Sequence, residues 1–189
     1  MRKLIAFAHI SLDGYVCGIN GELDWIKIDD SIFGFVEKWL AERSDTALYG
    51  RTTYELMESY WPTAADQPGA SEHDKNHAVW YKKANKIVLS GTIDKSDSEN
   101  LTIIRDNTAD SINVIKRNAG KDIVIFGSPG ATHSLMQEKL VDGYWLFINP
   151  VILGKGKKLF SDDIKDTTNL KLITTNVFSS GVICCYYEK

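Results

Sequence analysis

Residues 122–160, DIVIFGSPGATHSLMQEKLVDGYWLFINPVILGKGKKLF, constrain the fold of this chain more than any other stretch. The β-branched run Ile123-Val124-Ile125-Phe126 predicts a buried strand. Gly127-Ser128-Pro129-Gly130 breaks it, and 131–140 then carries Leu135, Met136 and Leu140 at helical spacing. A second apolar run follows at 144–148. Strand, glycine turn, helix and strand make a βαβ unit, which implies a parallel sheet. The turn has chemical consequences as well. A helix that starts where a strand ends aims unpaired N–H groups and the positive end of its dipole at one spot, where a phosphate fits. Gly127 and Gly130 are three apart with proline between them, so this is not GxGxxG and a Rossmann domain is disfavoured.

Other segments extend the same pattern. Residues 3–9 predict a first strand, and 11–25, SLDGYVCGINGELDW, a long polar loop with three glycines. Ile32, Phe33, Phe35, Val36, Trp39 and Leu40 form one stripe of a helix over 31–42. A strand at 46–49 leads through Gly50-Arg51-Thr52-Thr53 into a helix reaching Met57, whose start Thr52 and Glu55 would pin as a capping box. Residues 60–75, rich in proline, alanine, glycine and aspartate, predict a long loop. Beyond it come a helix over 76–85, strands at 86–90 and 101–105, and a helix over 110–118. Alternation at 170–178 and 182–188 around Ser179-Ser180-Gly181 predicts a closing antiparallel hairpin, so the sheet is mixed.

Three turns sit where strands end: Gly50-Arg51-Thr52-Thr53, Ser90-Gly91-Thr92 and Gly127-Ser128-Pro129-Gly130. Ligands of parallel sheets bind outside the carboxyl ends of strands, so all three are expected to line one groove. Arg51 and the hydroxyls of Thr53, Ser90 and Thr92 would add phosphate contacts. Charge excludes another class of partner: a net charge of −3 with no basic stripe gives no footprint for nucleic acid. The short cluster Lys155-Gly156-Lys157-Lys158 is read as a solvated loop. No apolar run approaches the ~20 residues that span a membrane. The start MRKLIAFAHI has too short an apolar run for a signal peptide and is read as strand one. Three cysteines, Cys17, Cys184 and Cys185, make no disulfide framework and point to a reducing cytoplasm. The 189 residues suit one domain, 1–189.

Those turns, in that order, carry a family resemblance. With Ser11-Leu12-Asp13-Gly14-Tyr15, LYGRTTYE at 48–55, VLSGT at 88–92, IVIFGSPG at 123–130 and LVDGYWLFINPVILGKGKKLF at 140–160, nearly the whole chain resembles the dihydrofolate-reductase-like superfamily. Within it, the chain is most similar to the C-terminal reductase domain of the bifunctional riboflavin-biosynthesis deaminase/reductase. The resemblance implies a three-layer α/β fold with a mixed, mostly parallel sheet flanked by helices, and an NADPH-dependent reductase acting on a small heterocyclic or phosphorylated metabolite. The reference reaction is that of 5-amino-6-(5-phosphoribosylamino)uracil reductase. The alternatives are a pterin-type or xenobiotic reductase, or a non-catalytic nucleotide-binding module. By resemblance, Gly50, Arg51 and Thr53 hold the phosphate side of NADPH, Ser90 and Thr92 its ribose 2′-phosphate, and Gly127, Ser128 and Gly130 its pyrophosphate. Asp13 and Gly14 would lie near the nicotinamide. The family pairs glycines where this chain has Gly127-Ser128, so the serine is expected either to crowd the pyrophosphate or to donate to it. No CxxC or HxE of the deaminase half is in the sequence.

Further expectations follow. Asp30, five residues after Trp25, reads as a substrate-binding carboxylate of raised pKa or, the favoured reading, as part of an N-cap run with Asp29 and Ser31. His73 and His77 have i, i+4 spacing but no clear third ligand, so they are read as solvated and no metal is expected. The Gly127–Ser128 peptide is expected to be cis, as in relatives. A homodimer is expected through the 144–152 run and the C-terminal hairpin. The 60–75 loop is expected to close over the substrate, with Trp61 packed inward.

Overall fold

The computed structural model describes residues 1–93, 100–162, 164 and 166–189. In chain order the elements are β1 (Leu4–Ser11), β2 (Tyr15–Cys17), α1 (Asp30–Arg43), β3 (Ser44–Gly50), α2 (Arg51–Ala64), α3 (Glu72–Lys83), β4 (Asn85–Leu89), β5 (Leu101–Ile104), α4 (Thr108–Arg117), β6 (Asp122–Phe126), α5 (Pro129–Gln137), β7 (Gly143–Asn149), β8 (Lys157–Lys158), β9 (Lys171–Val177) and β10 (Ile183–Glu188). Eight strands form one sheet in the order β5-β4-β3-β6-β1-β7-β10-β9. Strands β5 through β7 are parallel, and β10 runs antiparallel to both β7 and β9. The mixed sheet and closing hairpin therefore match the expectation. The βαβ unit is wider than the sequence indicated, because β1 lies between β6 and β7.

Strand alternation divides the core into two layers. Leu4, Ala6, Ala8 and Ile10 of β1 pack beneath α4 and α5 with Ile112 and Leu135. Ile5, Tyr49, Phe126, Trp145 and Phe147 pack against Ile32, Val36 and Leu40 of α1 and Tyr81 of α3. The i, i+4, i+8 spacing of the α1 trio is the reason that helix lies flat on the sheet. Asp29 caps α1, its Oδ1 accepting from the Ser31 and Ile32 N–H groups at 3.0 Å each.

Four expectations are corrected. Residues 60–75 are not one long loop: α2 continues through Pro62 to Ala64, and α3 starts at Glu72 behind a Ser71–Asp74 capping box. Pro62 is tolerated because the helix ends two residues later, so few backbone bonds are lost. Tyr60 Oη donates to Asp74 Oδ1 at 2.8 Å, tying the two helices together. The α2 start is not pinned by Thr52 and Glu55; Gly50 is its N-cap, with no side-chain cap. His73 and His77 are not solvated. His73 stacks on Phe33 with ring centroids 3.6 Å apart and pairs with Glu37 at 2.7 Å, while His77 is 8% exposed. Lys157 and Lys158 are not a free loop, since they pair with β2.

Candidate active site

The strand order reverses around β6 and β1. Chain order runs outward from β3 through β4 to β5, returns to β6 beside β1, and then continues to β7 on β1's other side. The crevice outside the carboxyl ends of β1, β3 and β6 is thus the switch point where open α/β sheets bind ligands. Two helices begin there without a side-chain cap: α2 after Gly50 and α5 after Ser128. The starts of α1 and α3 are capped by side chains, and that of α4, behind Asn107, is not. Uncapped first turns leave donors open, and at α5 those are the N–H groups of Gly130 and Ala131, because Pro129 has none.

The β6–α5 corner is made by two consecutive left-handed residues, Gly127 (φ 52°) and Ser128 (φ 45°). The Gly127–Ser128 peptide is trans, which corrects the cis expectation; the pair of positive φ angles turns the chain instead. Ser128 neither crowds the turn nor points into solvent. It is 6% exposed, and its Oγ accepts from the Gly50 N–H at 3.1 Å, locking the α2 and α5 starts together. A left-handed L-residue costs roughly 1–2 kcal/mol, and an unpartnered buried N–H costs about 1–3. Ser128→Ala is therefore expected to destabilise the fold by about 1–2 kcal/mol. Ser128→Gly, which loses the bond but relaxes the backbone, should cost less. Urea denaturation checks this, and a neutral Ser128→Ala would show that the link contributes nothing.

The third turn is joined to the first. Arg51 reaches across from the first turn of α2, its Nη1 donating to Thr92 Oγ1 at 2.8 Å. Ser90 Oγ accepts from the Thr92 and Ile93 N–H groups at 3.2 and 3.1 Å, shaping a tight loop. Arg105, which the sequence reading did not single out, donates from the far side to Gly91 O at 2.9 Å and to Ile93 O. Its only sequence signal was a cation at the end of a strand run. An acidic residue stands beside Arg51: Glu55 Oε1 accepts from its Nε at 2.8 Å, both side chains being exposed. Thr53 sits in the same first turn of α2, half-buried.

On the other side of the crevice Asp13 joins two loops. Its carboxylate accepts from Ser11 Oγ at 2.7 Å, Gly154 N at 2.7 Å and Leu153 N at 3.1 Å. The Ser11 hydroxyl above all, then these backbone donors, bring its pKa down to about 2. Gly14, at φ 86°, makes the turn that lets Leu159 N–H bond its carbonyl at 2.9 Å. Asp30 is exposed on the first turn of α1, so a buried carboxylate is not found there. Asn149, also absent from the sequence reading, is fully buried at the end of β7. Its Oδ1 accepts from Lys27 N at 2.9 Å and its Nδ2 donates to Phe147 O at 3.0 Å.

Fold and crevice together define a dihydrofolate-reductase-like α/β protein. A dihydrofolate reductase from Enterococcus faecalis complexed with NADP(H) overlays 98% of this chain and 95% of its own at TM-score 0.62, with 14% identity. A Thermotoga maritima diaminohydroxyphosphoribosylaminopyrimidine deaminase/5-amino-6-(5-phosphoribosylamino)uracil reductase overlays 99% of this chain and 56% of its own at TM-score 0.67, with 16% identity. The model of the RibD C-terminal domain matches residues 2–184, and the chain belongs to that family. Uncharacterized protein YyaP of Bacillus subtilis (strain 168) is 38% identical over 99% of this chain and 95% of its own length.

Proposed function

We propose that this chain is an NADPH-dependent reductase of a small heterocyclic metabolite, of the type represented by 5-amino-6-(5-phosphoribosylamino)uracil reductase. One observation carries the reading. Two uncapped helix starts lie side by side at the strand-order reversal, held together by the Gly50–Ser128 hydrogen bond. That arrangement fits a pyrophosphate, for which the Gly130 and Ala131 N–H groups are the open donors. A Cβ built on Gly127 or Gly130 would meet nothing within 4 Å, so the turn stands clear for a ligand to approach. Arg51, Ser90 and Thr92 form the 2′-phosphate end, braced by Arg105. Asp13 is a positioning residue, fixing the Gly14 turn against the Leu153–Gly154 loop beside the nicotinamide end. When bound, the reduced nicotinamide supplies a hydride equivalent; these residues bind it, orient it and keep water from it.

Titrating NADPH and NADH against quenching of tryptophan fluorescence tests the reading. NADPH should bind at least about tenfold more tightly. Equal or tighter NADH binding would overturn the cofactor choice, and no NADPH binding at all would overturn the reductase. NADPH consumption over a substrate panel then separates a reductase from a nucleotide-binding module.

Two further parts belong to this reading. Cys17, Cys184 and Cys185 are buried free thiols, in keeping with a reducing cytoplasm. Among the described residues, no helix is long and apolar enough to cross a membrane. The edge strand β9 carries Leu172, Ile173 and Val177 at 48%, 44% and 72% exposure beside a backbone edge that pairs with no strand among the described residues. A second copy of the chain is the expected cover, through the hairpin and not the 144–149 run, which is buried inside the sheet as β7. Light scattering at micromolar concentration should give a dimer mass, and Ile173→Lys with Val177→Lys a monomer; a monomeric parent protein would refute the dimer.

A further inference from the structure

A cavity of about 530 Å³ lies between α5, the start of β7 and Lys189 beyond β10. That volume is within the ~300–1,000 Å³ of small-molecule sites. The cavity stands apart from the crevice. β7 begins and β10 ends at the edge of the sheet where the parallel strands start, whereas the crevice lies where they stop. The two places share no lining residue.

Met136, Ile164 and the ring of Tyr144 give the cavity apolar walls, and Phe160 packs on the Tyr144 ring with centroids 5.6 Å apart. The charged groups that line it are already engaged. Lys139 Nζ donates to Asp166 Oδ2 at 3.1 Å, both side chains being exposed, and Lys189 Nζ donates to Lys139 O at 3.3 Å. Two neutral groups still lack partners. Tyr144 is 4% exposed, yet its hydroxyl makes no hydrogen bond among the described residues. Burial raises its pKa, so it remains an O–H donor in neutral solution. A buried hydroxyl without an acceptor is unfavourable, and a ligand oxygen relieves it.

His133 supplies the complement. Its Nε2 faces two carbonyls, Lys158 O at 3.1 Å and Leu159 O at 2.8 Å. Carbonyls only accept, so the ring proton resides on Nε2. Nδ1 of the neutral ring is then an acceptor, and none of the described residues donates to it.

We propose that this cavity is a second ligand site, for an uncharged aromatic amide. The aromatic face lies against Met136 and Tyr144, the carbonyl oxygen accepts from the Tyr144 hydroxyl, and the amide N–H donates to His133 Nδ1. A carboxylate of the same shape fits less well, because it has no N–H for His133 and both ammonium groups are taken.

Calorimetry of the full chain at pH 8 with 2-naphthamide tests this. 2-Acetylnaphthalene keeps the ring and the carbonyl but lacks the N–H, and should bind about five- to tenfold more weakly. 2-Naphthoate should bind about tenfold more weakly, and neither comparison needs a variant to fold. Tyr144→Phe, which removes only the hydroxyl, should weaken 2-naphthamide about five- to tenfold. Met136→Arg, which puts a long charged side chain into the apolar wall, should abolish binding. No binding of 2-naphthamide, or equal binding of 2-acetylnaphthalene or 2-naphthoate, overturns the proposal. So does unchanged affinity in Tyr144→Phe or Met136→Arg, because the ligand would then sit elsewhere.

Discussion

Lowering the pH from 7 to 5 is expected to remove about 4 kcal/mol of folding stability, roughly 2 from each of two histidines. His77 lies among Trp61, Trp80 and Phe126, with ring centroids 4.0, 5.4 and 6.4 Å away, and its Nδ1 has no partner among the described residues. Burial chiefly, with His73 beside it and Asp74 opposing, lowers its pKa to about 3. Burial against Phe7 and Phe147 brings His9 to about 4. An unfolded histidine titrates near 6.5, so below that pH the unfolded chain takes up protons that the folded chain refuses. The stabilisation is therefore complete above about pH 6.5 and is lost as the pH falls toward 4 and then 3. Four kcal/mol is a large share of the 5–15 kcal/mol typical of a domain. Urea denaturation at pH 7 and pH 5 measures it, and His77→Phe should remove about half of the difference. Equal stability at the two pH values would rule out this account.

Arg51→Ala is expected to weaken NADPH about tenfold or more while leaving NADH within about twofold. A charge-assisted hydrogen bond to phosphate contributes about 1.5–3 kcal/mol, and only NADPH carries the 2′-phosphate. Glu55 sharpens the test. It now accepts from Arg51 Nε at 2.8 Å and competes with the ligand for the guanidinium, so Glu55→Gln should tighten NADPH severalfold. Fluorescence titration of both cofactors against both variants decides. If Arg51→Ala weakened NADH and NADPH equally, Arg51 would not be reading the 2′-phosphate.

Much of this protein was legible because its signals are local. Alternating or continuous apolar runs marked β1, β3, β4, β6, β7 and the closing hairpin, and the stripe of Ile32, Val36 and Leu40 marked α1. Glycine-bearing turns at strand ends marked the crevice, because parallel sheets place such turns at one edge. The misreadings came where a local signal was weaker than packing. Pro62 and its polar neighbours read as a loop, yet the α2–α3 pair holds them in helix through contacts such as Tyr60–Asp74 and Trp61–His77. His73 and His77 read as solvated because nothing in their spacing shows that Phe33, Trp61 and Trp80 converge on them.

By itself, then, the sequence determined the mixed α/β sheet, the three turns at strand ends and the family. Each depends on residues close together in the chain, where propensity, periodicity and turn chemistry act directly. Tertiary structure alone decided what those residues do to one another. Ser128 accepts from Gly50 across 78 residues, Arg51 reaches Thr92 across 41, and Asp13 holds Gly154 across 141. Pairing of β6 with β3, of β3 with β4 and of β1 with β7 brings those segments together, and a pairing set by burial over such separations leaves no period or spacing along the chain to be read.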